Sequence, residues 1–200
     1  MMDVVLENKF ISFDSILILM SMWVCREGSS GEYENYSVEN NVICIGWQEI
    51  GDLSSVKNRE SIKKLMAVTY PDKSLNSIAN MAGQVYTFVN NITEGDTVLV
   101  PSKIYPGKIR ICIVKGPYCY NGEYTHAPHS RPVEWSPRMI TISELDMDLR
   151  HSLNSIMTVF SVNADNASRI SKIIKSQPEK IEPSSEEEEI PADFDVSVAA

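Results

Sequence analysis

Two hundred residues suffice for one sizeable domain with tails and fall short of two. With 43% hydrophobic and 22% charged residues, the composition is that of an ordinary globular chain, which excludes a wholly disordered polymer. The formal charge of −9 argues against a nucleic-acid partner only until its placement is read: residues 22–162 hold 13 bases and 15 acids, whereas residues 163–200 hold 4 and 9. The body is close to neutral, and a basic face on it is compatible with the acidic total.

Residues 1–21 read as an N-terminal appendage. Their most apolar run, Ile16 to Met20, is too short to span a bilayer, and Asp3, Glu7 and Asp14 outnumber Lys9 where a secretory signal needs positive charge. The expected location is therefore cytoplasmic, with no membrane contact. Met22-Trp23-Val24-Cys25-Arg26 predicts a strand ended by the turn-forming Gly28-Ser29-Ser30-Gly31. A short polar helix or loop follows, and Val42 to Trp47 is apolar enough for a central strand. Asn58 caps an expected helix over 59–70 that Pro71 stops. A longer helix over 75–91 carries Leu75, Ile78, Ala79, Ala82, Val85, Tyr86 and Val89 at spacings of three and four, a face that must lie on a sheet.

From Gly95 onward short strands dominate: Thr97–Val100, Ile109–Lys115, Arg131–Trp135, Arg138–Ile142 and Met157–Val162. A last helix over 163–176 places Ile170, Ile173 and Ile174 on one face. Beyond it, Pro178, Pro183, Pro191 and the run Glu186 to Glu189 predict a disordered acidic linker or tail over 177–200. The order predicts an α+β domain over 22–176, a small curled barrel of mixed strand direction with helices packed outside it. Cys25, Cys44, Cys112 and Cys119 are widely spaced and read as thiols rather than a disulfide framework.

Metal-dependent hydrolysis of the restriction type needs two carboxylates and a lysine converging from neighbouring strands, and no predicted strand presents that set. Cys119, His126 and His129 form a sparse group of soft ligands whose spacing matches no zinc pattern. No metal or cofactor is expected, and no catalytic residue is assigned. The segment Pro101 to Arg110 holds three bases, Lys103, Lys108 and Arg110, with Tyr105 and no acid; continued to Lys115 it holds a fourth. Such a basic hairpin with an aromatic tip suits a phosphate backbone. Trp23, Trp47 and Trp135 lie at expected strand ends, where indoles can wall a pocket for a flat ring.

Seven blocks in order carry a family resemblance: Met22 to Arg26 with its Gly-Ser loop, Val42 to Trp47, Gly51-Asp52-Leu53-Ser54, Ala79 to Gln84 with Phe88-Val89, Glu94 to Val98, Val133-Glu134-Trp135, and Leu149 to Leu153 through Thr158-Val159-Phe160. Over about 22–162 the chain resembles the N-terminal domain of predicted Mrr-type restriction endonucleases, which is similar to the PUA-like group that includes EVE and YTH domains. The resemblance implies a small curved β-barrel with flanking helices that reads a modified base of DNA, or of RNA in the YTH relatives. It implies an aromatic cage of Trp47, Trp23 and Trp135, a pocket edge of Arg26, Ser29 and Asn80, and phosphate contacts from Lys103, Lys108 and Arg110. Many members carry an aromatic residue where this chain has Met81. Members usually continue into an Mrr-type nuclease, whereas only 38 residues follow Val162 here. The expectation is a reader from a restriction or defence system, with a separate nuclease subunit as partner. The competing expectation is a protein-interaction or regulatory module that acts through the acidic tail.

Overall fold

The computed structural model describes residues 21–124 and 127–176. The N-terminal appendage up to Met20, the acidic tail and His126 lie outside the described residues. Seven strands, β1 (Met22–Cys25), β2 (Val42–Ile45), β3 (Thr97–Pro101), β4 (Lys108–Val114), β5 (Cys119–Tyr120), β6 (His129–Thr141) and β7 (Val159–Ser161), form one sheet in the order β2-β6-β4-β3-β1-β7. β5 pairs with the start of β6, and β1 runs parallel to β3 while every other pairing is antiparallel. The helices are α1 (Glu34–Asn40), α2 (Arg59–Thr69), α3 (Leu75–Tyr86, continued by a π turn over Thr87–Asn91), α4 (Met147–Leu153) and α5 (Ala164–Ser176).

Alternation along the strands divides the apolar residues between two cores. Cys25, Val98, Val100 and Cys112 face one core, which Ile62 and Met66 of α2 and Ile78 and Val85 of α3 complete. Met22, Val24, Leu99 and Ile109 face the other, against Leu149 and Leu153 of α4 and Ile170 and Ile174 of α5. The expected face of α3 is therefore real, with one correction: Leu75 is exposed at the first turn. Asn58 caps α2 as its residue type predicts, its side-chain oxygen accepting the Ser61 N–H at 2.8 Å.

The sequence predicts separate strands over Arg131–Trp135 and Arg138–Ile142, but the structure makes them halves of β6. Register passes from Arg110↔Met139 to Cys112↔Trp135, so Ile111 stands opposite Ser136, Pro137 and Arg138. Pro137, which has no N–H to give a ladder, occupies that bulge and does not break the strand.

The sheet curls until β1 and β2 face one another without a ladder between them. Side chains bridge the gap: Glu27 Oε1 accepts the Cys44 N–H at 3.2 Å, and Cys25 Sγ lies 3.9 Å from the Cys44 carbonyl. Cys25, Cys44 and Cys112 are buried free thiols, and Cys119 is free and exposed. At the far end of α3, Arg131 caps the carbonyls of Phe88 and Val89, both at 2.7 Å, and that of Gly116 at 3.2 Å. The negative end of the helix thus stabilises this guanidinium, although burial pulls its pKa down to about 10.

Candidate ligand-binding cleft

Glu34, at the start of α1, is 1% exposed and accepts four hydrogen bonds. Ser102 Oγ and Arg110 Nε, the latter at 2.9 Å, donate to Oε1, and the backbone N–H groups of Lys103 and Ile104 donate to Oε2 at 2.9 and 3.2 Å. Burial pushes this carboxyl up, but those bonds outweigh it and hold the pKa below the usual value. A single carboxylate thereby fixes the turn joining β3 to β4, the stretch whose basic character stands out in the sequence.

The turn forms one wall of a cavity of about 680 Å³, within the range of small-molecule and cofactor sites. α4 and the segment before it supply the other wall. Ile109, Leu145 and Leu153 give it an apolar lining, and the cations Arg26, Lys103, Lys108 and Arg150, together with His151, surround it with no carboxylate among the lining residues. Three of those cations are tied to neutral oxygens: Arg26 Nη2 to the Leu153 carbonyl at 2.9 Å, Lys108 Nζ to Thr141 Oγ1 at 2.7 Å, and Arg150 Nε to the Leu145 carbonyl at 2.7 Å. The ion pairs among the described residues lie elsewhere, at Lys63–Glu60, Arg110–Glu34, Lys115–Glu134, Arg138–Glu144 and Arg169 with Asp146 and Asp148. Exposed apolar side chains gather nearby: Ile142 and Met147 line the cavity, and Ile104 and Tyr105 stand on the turn.

A second cavity of about 330 Å³ adjoins the first, sharing Arg26, Pro101, Lys103 and Asn154 with it. Glu27, Ser29 and Glu34 also line it. Two polar atoms of its lining residues, Arg26 Nε and Glu27 Oε2, are buried without a hydrogen-bond partner. Burial raises the Glu27 pKa to about 8, against the nearby Ser37 hydroxyl and the Cys44 amide, which lower it.

The residues singled out in the sequence divide between the cleft and other parts of the domain. Arg26 lines both cavities, Ser29 the smaller, Lys103 both and Lys108 the larger. Arg110 is paired with Glu34, and Asn80 is exposed on α3 and lines neither cavity. The three indoles do not assemble into a cage. Trp23 and Trp135 belong to one row across the sheet, Trp23-Val98-Cys112-Trp135, with two strands between them on the core face. Trp23 Nε1 donates to Asp96 Oδ2 at 2.8 Å and Trp135 Nε1 to the Ser37 carbonyl at 3.3 Å.

Trp47 has φ 63°, a left-handed conformation unusual for so large a residue, and its carbonyl is held by Ile50 N–H at 3.1 Å and His129 Nε2 at 3.2 Å. All three tryptophans pack against the core, and none lines either cavity. Tryptophan's apolar area explains the outcome: in a domain this small the core claims it before a surface pocket does. His129 uses both ring nitrogens, since Nε2 faces a carbonyl and Nδ1 takes the Tyr118 O–H at 2.7 Å, which leaves none for a metal. Among the described residues no group of three or more His, Cys, Asp and Glu is placed to hold a metal. Likewise among them, no helix is long and apolar enough to cross a membrane.

Arg150, His151, Glu27 and Glu34 enter the site without having been singled out. Arg150 and His151 lie between Leu149 and Leu153, an i, i+4 apolar pair that marks a helix with its intervening residues turned outward. Nothing local distinguishes Glu34 from the acids around it.

The structure defines an α+β domain whose curled sheet carries two adjoining cavities, the larger ringed by cations, at the ends of β1 and β3. A family model described as a domain of unknown function (DUF8426) matches residues 22–163, and the chain belongs to that family. Comparison with curated proteins gives no match.

Proposed function

We propose that this domain is a nucleic-acid-binding reader that takes DNA, with a modified base as the feature read, and that it serves a restriction or defence system alongside a nuclease supplied by another subunit. The observation that carries the reading is the larger cavity, lined by Arg26, Lys103, Lys108, Arg150 and His151 and by no carboxylate, whereas Lys63, Arg110, Lys115, Arg138 and Arg169 elsewhere in the domain are held in ion pairs. Cations held only by neutral oxygens keep their charge for a phosphate, and the apolar lining suits the face of a base. The PUA-like resemblance points the same way. The tryptophans that the resemblance implies as a cage line neither cavity, so we assign the reading chemistry to the cleft beside the β3–β4 turn.

The test is fluorescence anisotropy of the full chain with a labelled duplex, plain or methylated at one position, across a salt series. The expected result is tighter binding of the methylated duplex, affinity that falls as salt rises, and weaker binding of both duplexes by a Lys103→Ala, Lys108→Ala double variant. Equal affinity for the two duplexes, or binding that the double variant leaves intact, overturns the reading.

A further inference from the structure

Arg26 and Glu27 are consecutive residues that leave β1, and each carries a buried polar atom with no task in the fold. Arg26 Nη2 holds the Leu153 carbonyl, yet Nε has no partner. Glu27 is 3% exposed; its Oε1 bridges the open seam between β1 and β2 by accepting the Cys44 N–H, yet Oε2 has no partner. A lysine and a glutamine would serve those structural roles equally well. Unpaired buried polar atoms are rare in folded proteins because each forfeits its hydrogen bonds to water, so two on adjacent residues that line one cavity call for a common cause.

We propose that Arg26 and Glu27 hydrogen-bond the edge of a single nucleobase lodged in the smaller cavity. This rests on the nucleic-acid reading above and adds the residues that recognise the base. The arrangement separates two tasks. Lys108, Arg150 and His151 line only the larger cavity, where a sugar-phosphate backbone would run, whereas Glu27 lines only the smaller one. Arg26 and Lys103 line both and stand where backbone and base would part. Phosphate contacts position without specifying; edge contacts specify.

The experiment compares the full chain and two variants, Glu27→Met and Arg26→Lys, on labelled duplexes that differ at one central position, which carries a base, a methylated base or an abasic residue. Melting curves check that each variant is folded. Wild type is expected to bind the best base-bearing duplex roughly tenfold more tightly than the abasic one, the size of one or two good hydrogen bonds. In both variants that ratio is expected to fall toward one. Arg26→Lys keeps the cation and disturbs no contact of Cys44, so its result stands even if Glu27→Met is unfolded. A ratio unchanged in Arg26→Lys, or in a folded Glu27→Met, overturns the base-edge assignment. It leaves the wider reading intact as long as the Lys103, Lys108 double variant still weakens binding to every duplex. Wild type that binds none of the duplexes at low salt overturns both.

Discussion

Arg110 Nε donates to Glu34 Oε1 at 2.9 Å, and the same carboxylate receives the amides of Lys103 and Ile104. Glu34 is buried and Arg110 half-buried, and the Arg110 guanidinium also stands 5.2 Å from the centre of the Tyr105 ring. A residue of α1 thereby holds the cationic turn against the cleft. Glu34→Ala leaves Arg110 and two amides without a partner, and breaking a pair whose carboxylate is buried costs about 3–5 kcal/mol. Urea unfolding is expected to show a loss of that order, with Glu34→Gln losing less because its amide oxygen still accepts. A loss below about 1 kcal/mol for Glu34→Ala would show that the turn is held by other contacts.

Glu27 predicts a pH dependence of the opposite sense to that of most protein carboxylates. Burial raises its pKa from 4.5 to about 8, with Glu34 adding to the rise and Ser37, the Cys44 amide and Arg110 opposing it. Between those values the folded state binds a proton that the unfolded chain has released, so stability falls as pH rises from about 4.5 to 8 and levels off above. Glu27→Gln removes this contribution. The difference in unfolding free energy between variant and wild type is expected to move in the variant's favour from pH 5 to pH 8. A difference constant over that range would place the Glu27 carboxyl in contact with water.

Much of this arrangement is legible in the sequence because it follows from periodicity and turn chemistry. The apolar face of α3, the strand at Met22, the cap at Asn58 and the basic turn at Pro101–Lys108 each rest on local rules. What escapes is set by distant contacts. Glu34 reaches the turn across sixty-eight positions, a pairing no window of sequence contains. The continuity of β6 depends on a bulge within it, opposite Ile111 of the neighbouring strand, that accommodates Pro137. The tryptophans mislead because an indole satisfied by Asp96 or by the Ser37 carbonyl looks, in sequence, the same as one that walls a pocket.

His129 titrates in the usual sense for a buried imidazole. It is fully buried between Tyr118 and the Trp47 carbonyl, and burial lowers its pKa below 6.5 against the smaller upward pull of that carbonyl and of Asp52. Below about pH 6.5 the unfolded chain takes up a proton that the folded state resists, so stability falls as pH drops. Replacing the ring by Gln, which can still donate to the Trp47 carbonyl, is expected to flatten the slope between pH 6.5 and 5. An unchanged slope in His129→Gln would assign the acid sensitivity to other groups.

The charge of the chain is divided so that its tail opposes the proposed ligand. Up to Ser176 there are 17 bases and 19 acids, whereas residues 177–200 hold one base and eight acids. A polyanion approaching the cleft meets the field of both parts, and the tail's contribution is screened beyond about 10 Å at 0.1 M salt. Ending the chain at Ser176 is therefore expected to raise the affinity for a labelled duplex at low salt, mainly through a faster association rate, and to matter little at high salt. Stopped-flow association of the full and shortened chains at two salt concentrations measures this directly. If shortening the chain instead abolishes binding, the tail belongs to the interface; if it abolishes capture of a protein partner while neither form binds DNA, the domain acts as an interaction module through that tail.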